Sequence, residues 1–134
     1  MISNETRSEL EESLGQVPSF IEVLADPAVD HSWGIMRDLE MGETELSSRE
    51  KALVGLGAAS SIQCPYCVHF HTEEAKLSGL TEDELKEVTN VAATVRYFST
   101  ALHGAGVDID EFRDETDAVM DHVKKQQAAA ADDD

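Results

Sequence analysis

The chain has 134 residues, of which 28 are Asp or Glu and 10 are Lys or Arg, for a formal net charge of −18. That length suits one domain with a buried core, and that charge repels nucleic-acid phosphates and anionic lipid, so neither nucleic acid nor membrane is an expected partner. No apolar run approaches the roughly 20 residues that span a bilayer, and the start Met1-Ile2-Ser3-Asn4-Glu5 lacks the basic and apolar regions of a signal peptide, so the sequence reads as cytoplasmic.

The acidic residues are spread along the whole chain, and Lys is as scarce as Arg. This distribution is expected of a protein adapted to high salt, where the Debye length falls to about 3 Å at 1 M and carboxylates cease to repel one another. An ordinary acidic mesophilic protein is the plainer alternative and leaves the functional argument unchanged.

The periodic segments all read as helix. A short polar helix is predicted over Glu5 to Leu14, ending near Gly15. Pro18 opens another through Phe20, Ile21 and Leu24, broken before Asp26-Pro27 because a residue preceding proline is pushed out of the helical region. Pro27 suits the first turn of the next segment, where Trp33, Met36 and Leu39, with Met41 as a further candidate, recur at helical spacing and are assigned to the core.

Ser47-x-x-Glu50 is a capping box, and the helix it opens, to about Ile62, carries Leu53, Val54 and Leu56 among small residues at Gly55, Gly57, Ala58, Ala59, Ser60 and Ser61. Two mid-helix glycines cost about 1 kcal/mol each relative to alanine, so they point to close packing against the next helix or another subunit. Cys64 stands before Pro65, which favours the first helical position; Cys64 is therefore an N-cap and Cys67 the third helical residue. This helix runs through Phe70, Ala75 and Leu77 to Gly79, a C-cap glycine. Thr81-x-x-Glu84 caps a further helix through Leu85, Val88, Val91, Ala92, Val95 and Phe98 to about Leu102. Gly104 and Gly106 mark a turn, Asp108 or Asp110 caps a last helix with Phe112, Val119 and Val123, and residues 128–134 are expected to fray as a short acidic tail. The fold class is all-α, a helical bundle in one domain over residues 1–127.

The chemistry concentrates in Cys64-Pro65-Tyr66-Cys67-Val68-His69-Phe70-His71, which holds the only two cysteines. A helix start lowers a thiol pKa through its unpaired N–H groups and the positive end of its dipole. His71 follows Cys67 by four, so both lie on one helix face. Cys67 is the candidate nucleophile, with His71 to withdraw its proton. Attack on a peroxide would give a sulfenic acid that Cys64 resolves to a disulfide, which an external dithiol then reduces.

Plainer readings stand beside this one. Both cysteines could be buried small hydrophobes, and His71 a satisfied structural histidine. Zinc would draw on Cys64, Cys67, His69 and His71, but on a continuous helix His69 points away from the others, so a tetrahedral site needs a break there or a ligand such as His31 or His103. No metal or cofactor is assigned. Tyr66 is explained as well by aromatic packing as by a hydrogen bond, and His69 is expected to be exposed or packed beside the site rather than catalytic. His31, His103 and His122 have no companions in sequence that assign them a role, and Glu50 is explained by its capping box.

On these residues the chain resembles the carboxymuconolactone decarboxylase and alkylhydroperoxidase D superfamily. The resemblance runs from about Leu46 to Val107, most clearly at Leu53-Val54-Gly55-Leu56-Gly57-Ala58-Ala59, at Cys64-Pro65-Tyr66-Cys67 with His71, and at Ala75, Gly79-Leu80-Thr81 and Glu84. It implies an all-helical subunit assembled as a homo-oligomer, a trimer or hexamer, with the cysteine pair near subunit contacts. It also implies Cys67 as the thiol oxidised to sulfenic acid, Cys64 as its disulfide partner and His71 in a proton relay, with a hydroperoxide or disulfide as substrate and an antioxidant role. Members of the lactone decarboxylase branch typically lack the cysteine pair, so that chemistry is the more distant alternative.

One departure stands out. The family pattern usually carries a glutamate twelve residues before the first cysteine, where this chain has Ala52. Glu50 lies about 200° around the helix from that position and cannot substitute directly. A redox-sensing or scaffold oligomer with a degraded relay is therefore an alternative to the peroxidase.

Overall fold

A computed structural model describes residues 2–132. Among them are seven α-helices, one π-helical turn and no strand, so the fold is all-α as the periodicity requires. The helices are α1 (Asn4–Leu14), α2 (Ser19–Glu22), α3 (Asp26–Ile35), α4 (Ser48–Ile62), α5 (Pro65–Leu77), α6 (Glu82–Ala105) and α7 (Ile109–Asp132), with the π-helical turn Met36–Met41 continuing α3.

The chain divides into two compact units, one up to Thr89 and one from Asn90 onward. In the first unit, α1 starts where the Ser3 hydroxyl accepts the Thr6 N–H at 3.1 Å and ends where Gly15, left-handed, donates to Glu11 O. Leu10, Ile21, Val29 and Trp33 form one buried cluster, lined by Ile2, Leu14, Val17, Leu24 and Met36. Trp33 Nε1–H donates to Glu9 Oε2 at 2.6 Å, and Arg37 Nη1 reaches the same oxygen at 2.7 Å. The indole N–H that burial would otherwise strand is thus paired.

Two early expectations change here. The second helix is only Ser19–Glu22, with Pro18 as its N-cap rather than inside it. Leu39 and Met41 are exposed instead of buried. The π-helical turn from Met36 is wider than an α-turn, so the 3.6-residue period that places Trp33 inward loses phase beyond it.

A second cluster, Ala52, Leu56, Ala75, Leu80 and Leu85, with Leu53 and Val88 against it, forms where α4 packs on α5 and the start of α6. Both capping boxes are made: Ser47 N–H to Glu50 Oε2 at 2.7 Å and Thr81 N–H to Glu84 Oε2 at 2.8 Å, each returned by the glutamate N–H to the hydroxyl. Arg49, in the first turn of α4, donates to Gly79 O at 3.2 Å and pairs with Glu84, which ties the α5–α6 turn to α4.

The second unit holds the rest of α6 and all of α7. Helix α6 continues past Leu102 to Ala105, with Gly104 helical and Gly106 turning the chain at φ 65°. Asp108, not Asp110, caps α7, its Oδ1 accepting the N–H groups of Asp110 and Glu111 at 3.0 Å each. The expected tail is helical as far as Asp132; of residues 128–134, positions 133 and 134 lie outside the described residues. Val91, Val95, Tyr97 and Phe98 on α6 and Phe112, Val119 and Met120 on α7 are exposed in the single chain.

Candidate functional site

The cysteine pair sits at a joint. Helix α4 ends at Ile62, and only Gln63 and Cys64 separate it from α5. Gln63 is left-handed at φ 58°, the one non-glycine residue with positive φ among those described, and its N–H returns to Ala59 O and Ser60 O. Cys64 N–H also donates to Ala59 O, at 3.2 Å. These bonds use the Ala59 and Ser60 carbonyls in the last turn of α4, and the chain turns there so that α5 packs against α4.

Cys64 caps α5 with sulfur: its Sγ accepts the Cys67 N–H at 3.2 Å, and its carbonyl accepts Val68 N–H at 2.9 Å. Pro65 occupies the first helical position, where its missing N–H costs nothing. The two Cα atoms are 5.3 Å apart and the sulfurs are joined as a disulfide. Cys64 and Cys67 are half-buried, while Tyr66 between them is 84% exposed and packs against nothing that would explain it as core.

His71 is half-buried and lies across α4. A Cβ added to Gly55 would stand 2.5 Å from His71 Nδ1 and 2.7 Å from Cε1, so the imidazole occupies the space that any other residue at 55 would fill. The same construction at Gly57 meets only Val88 Cγ1, at an ordinary 3.9 Å. The small-residue stripe therefore serves α5, and specifically its histidine, at Gly55.

His71 has a carboxylate after all. Its Nδ1 is 2.8 Å from Glu74 Oε2, three residues on in the same helix, with side chains only 18% and 24% exposed. Sequence reasoning missed Glu74 because it sought the carboxylate at position 52. Ala52 is fully buried within the apolar cluster, and Glu50 is held by Ser47, whose N–H and then hydroxyl keep its carboxyl below the ordinary 4.5. The i, i+3 spacing from His71 to Glu74 was the signal that could have found it.

Helix α5 is continuous from Pro65 to Leu77, and His69 on it is exposed. Among the described residues no three His, Cys, Asp or Glu side chains stand together as a metal ion needs. His31, His103 and His122 are exposed on α3, α6 and α7. A shallow cleft on α6, lined by Arg96, Ser99, Thr100, His103 and Gly104, includes neither cysteine. Among the described residues no helix is long and apolar enough to cross a membrane.

Several known proteins are similar to this chain. The alkylhydroperoxidase AhpD core of Rhodospirillum rubrum superposes with a TM-score of 0.69 over 80% of this chain and 82% of its own, at 22% identity, a likeness of fold. A protein from Methanobacterium thermoautotrophicum of known structure superposes at 0.55 over 66% of this chain and 97% of its own, at 34% identity. A Paracoccus denitrificans protein, described as uncharacterized protein 4 in the cox locus, is 27% identical over 79 residues, 59% of this chain and 71% of that one. Residues 27–109, from the first turn of α3 to the first residue of α7, match the carboxymuconolactone decarboxylase family, and with that span covering more than half its length the chain belongs to that family.

Proposed function

We propose that the chain is a dithiol oxidoreductase in which Cys67 reduces a hydroperoxide or a disulfide, Cys64 resolves the product and an external dithiol restores both thiols. The observation that carries this reading is the bond between Cys64 and Cys67 across the first turn of α5. It is the oxidised end of such a cycle, in a place where the helix N-terminus favours the thiolate needed to begin it.

In the peroxide form of the reaction, His71 takes the Cys67 proton and the thiolate attacks the O–O bond. That bond breaks, the alkoxide leaves and is protonated to the alcohol, and Cys67 becomes a sulfenic acid. The Cys64 sulfur attacks Cys67, the S–O bond breaks, and hydroxide leaves as water with the Cys64 proton. Thiol–disulfide exchange with the external dithiol regenerates both thiols, so one hydroperoxide and one dithiol give alcohol, water and one disulfide. With a disulfide substrate the thiolate attacks sulfur instead, and Cys64 closes the same bond.

The active form in this reading is a homo-oligomer, a trimer or hexamer, in which the exposed apolar side chains of α6 and α7 are covered by further copies. Their number supports it: soluble monomers rarely leave so many large apolar side chains uncovered on neighbouring turns.

The test is peroxide-dependent oxidation of a dithiol in molar salt. Cys67→Ser should abolish turnover, and His71→Ala should lower it about 10²-fold or more. No turnover in wild type that starts fully reduced would favour the second reading, a redox-sensing oligomer whose disulfide closes without catalysis. The buried alanine at position 52 is the observation in that reading's favour.

A further inference from the structure

Cys67, His71 and Glu74 follow one another at i, i+4 and i+7 on α5, so a thiol, an imidazole and a carboxylate line one face of one helix. His71 Nδ1 and Glu74 Oε2 stand 2.8 Å apart. An ionised carboxylate only accepts hydrogen bonds, so Nδ1 must carry the proton and donate it. The other ring nitrogen, Nε2, then holds a lone pair. A neutral imidazole free in water prefers the opposite tautomer, with the proton on Nε2, where it could not act as a base through that atom.

We propose that Glu74 is the positioning residue of this site: it fixes His71 in the Nδ1–H tautomer so that Nε2 receives the Cys67 proton. This deepens the dithiol reading and rests on it for its catalytic meaning. Three further observations support it. The pair is largely covered, unlike the i, i+3 pairs of Lys86 with Asp83 and Arg113 with Asp110, whose side chains are mostly in solvent. Helix α4 supplies room instead of charge, since Gly55 receives the ring and Ala52 is sealed in the apolar cluster. Finally, Glu50 and Glu84, on the neighbouring helices, are committed to their own caps.

The experiment uses reduced protein in molar salt with nitrogen-15 in its histidine rings, at a pH where the imidazole is neutral. Long-range proton–nitrogen spectra report which ring nitrogen of His71 is protonated, with His71→Ala assigning the signal. Wild type should hold mainly the Nδ1–H form. Glu74→Ala should shift His71 toward Nε2–H, whereas Glu74→Gln, which can still accept through its amide oxygen, should retain much of the wild-type pattern. In a Cys64→Ser background, whose single thiol is Cys67 and whose serine still caps α5, alkylation by iodoacetamide should slow about tenfold in Glu74→Ala and recover partly in Glu74→Gln.

An unchanged tautomer in Glu74→Ala overturns the proposal, as does a changed tautomer with unchanged alkylation. Neither readout uses peroxide, so absent peroxidase turnover would count against the dithiol enzyme while these two still decide the role of Glu74.

Discussion

Gly55 of α4 and His71 of α5 share one space: the imidazole sits where a side chain at 55 would begin, 2.5 Å from the nearest ring atom. Gly55→Ala tests this contact. The substitution gains about 1 kcal/mol of helix propensity and loses about 1–3 kcal/mol to overpacking, so the protein stays folded with a slightly lower melting temperature. The ring must move off Glu74, and Cys67 alkylation should fall nearly as far as in His71→Ala. Wild-type reactivity in Gly55→Ala would mean that the ring can yield without consequence.

The joint at Gln63 makes a prediction about stability alone. A left-handed residue with a Cβ carries a cost of roughly 1–2 kcal/mol, which glycine avoids. Gln63→Gly should therefore hold or raise the denaturant midpoint, despite the added freedom of the unfolded chain. Gln63→Val, β-branched at φ 58°, should lower stability by about 1–2 kcal/mol beyond wild type and loosen the turn that delivers Cys64.

Acid should act first through carboxylates that the fold holds ionised. The Glu9 carboxyl is lowered from 4.5 by the Trp33 N–H, then by Arg37; Asp30 is lowered from 3.8 by Thr6 and then Ser3. Depressed native values mean that the unfolded chain takes up protons first. Their stabilisation is thus complete above about pH 4.5 and declines as pH falls below that toward the native values. Trp33 is the only tryptophan, so its fluorescence should report loss of the Glu9 bond in an acid titration, and Glu9→Gln should flatten that part of the profile.

Salt should act in the opposite direction from its usual effect on surface ion pairs. With a net charge of −18, repulsion among carboxylates outweighs the scattered i, i+3 pairs, each worth about 0.2–0.5 kcal/mol. Shortening the Debye length from about 30 Å at 0.01 M to about 3 Å at 1 M should raise the melting temperature by several degrees. A melting temperature that falls with added sodium chloride would remove the case for adaptation to high salt.

What was legible in the sequence was mainly local. Ser47 with Glu50, Cys64 with Pro65, and Thr81 with Glu84 each mark a helix start through bonds made within a few residues, and all three form as read. The family followed from the same stretch, and the all-α fold from helical periodicity along the whole chain. Leu39 and Met41 misled because a π-helical turn has no clear signature in composition. Gln63 was invisible because left-handed caps are usually read from Gly or Asn. Glu74 was in plain view, but one carboxylate among 28 acidic residues carries no weight until a structure puts it against an imidazole.

The joint between α4 and α5 also bears on the order of events in folding. The cap sulfur, the second thiol, the imidazole and its carboxylate all fall within residues 64–74, and the glycine that receives the ring lies in the helix just before. Contacts so close in sequence close their loops at little entropic cost, and a helix forms in about a microsecond. Helices α4 and α5 can therefore assemble the whole array as a hairpin before more distant contacts are made. Native-state hydrogen exchange should accordingly find amides of α5 protected under conditions that already open α7, so that the chain keeps its cysteine pair and histidine in place through fluctuations that unravel its far end.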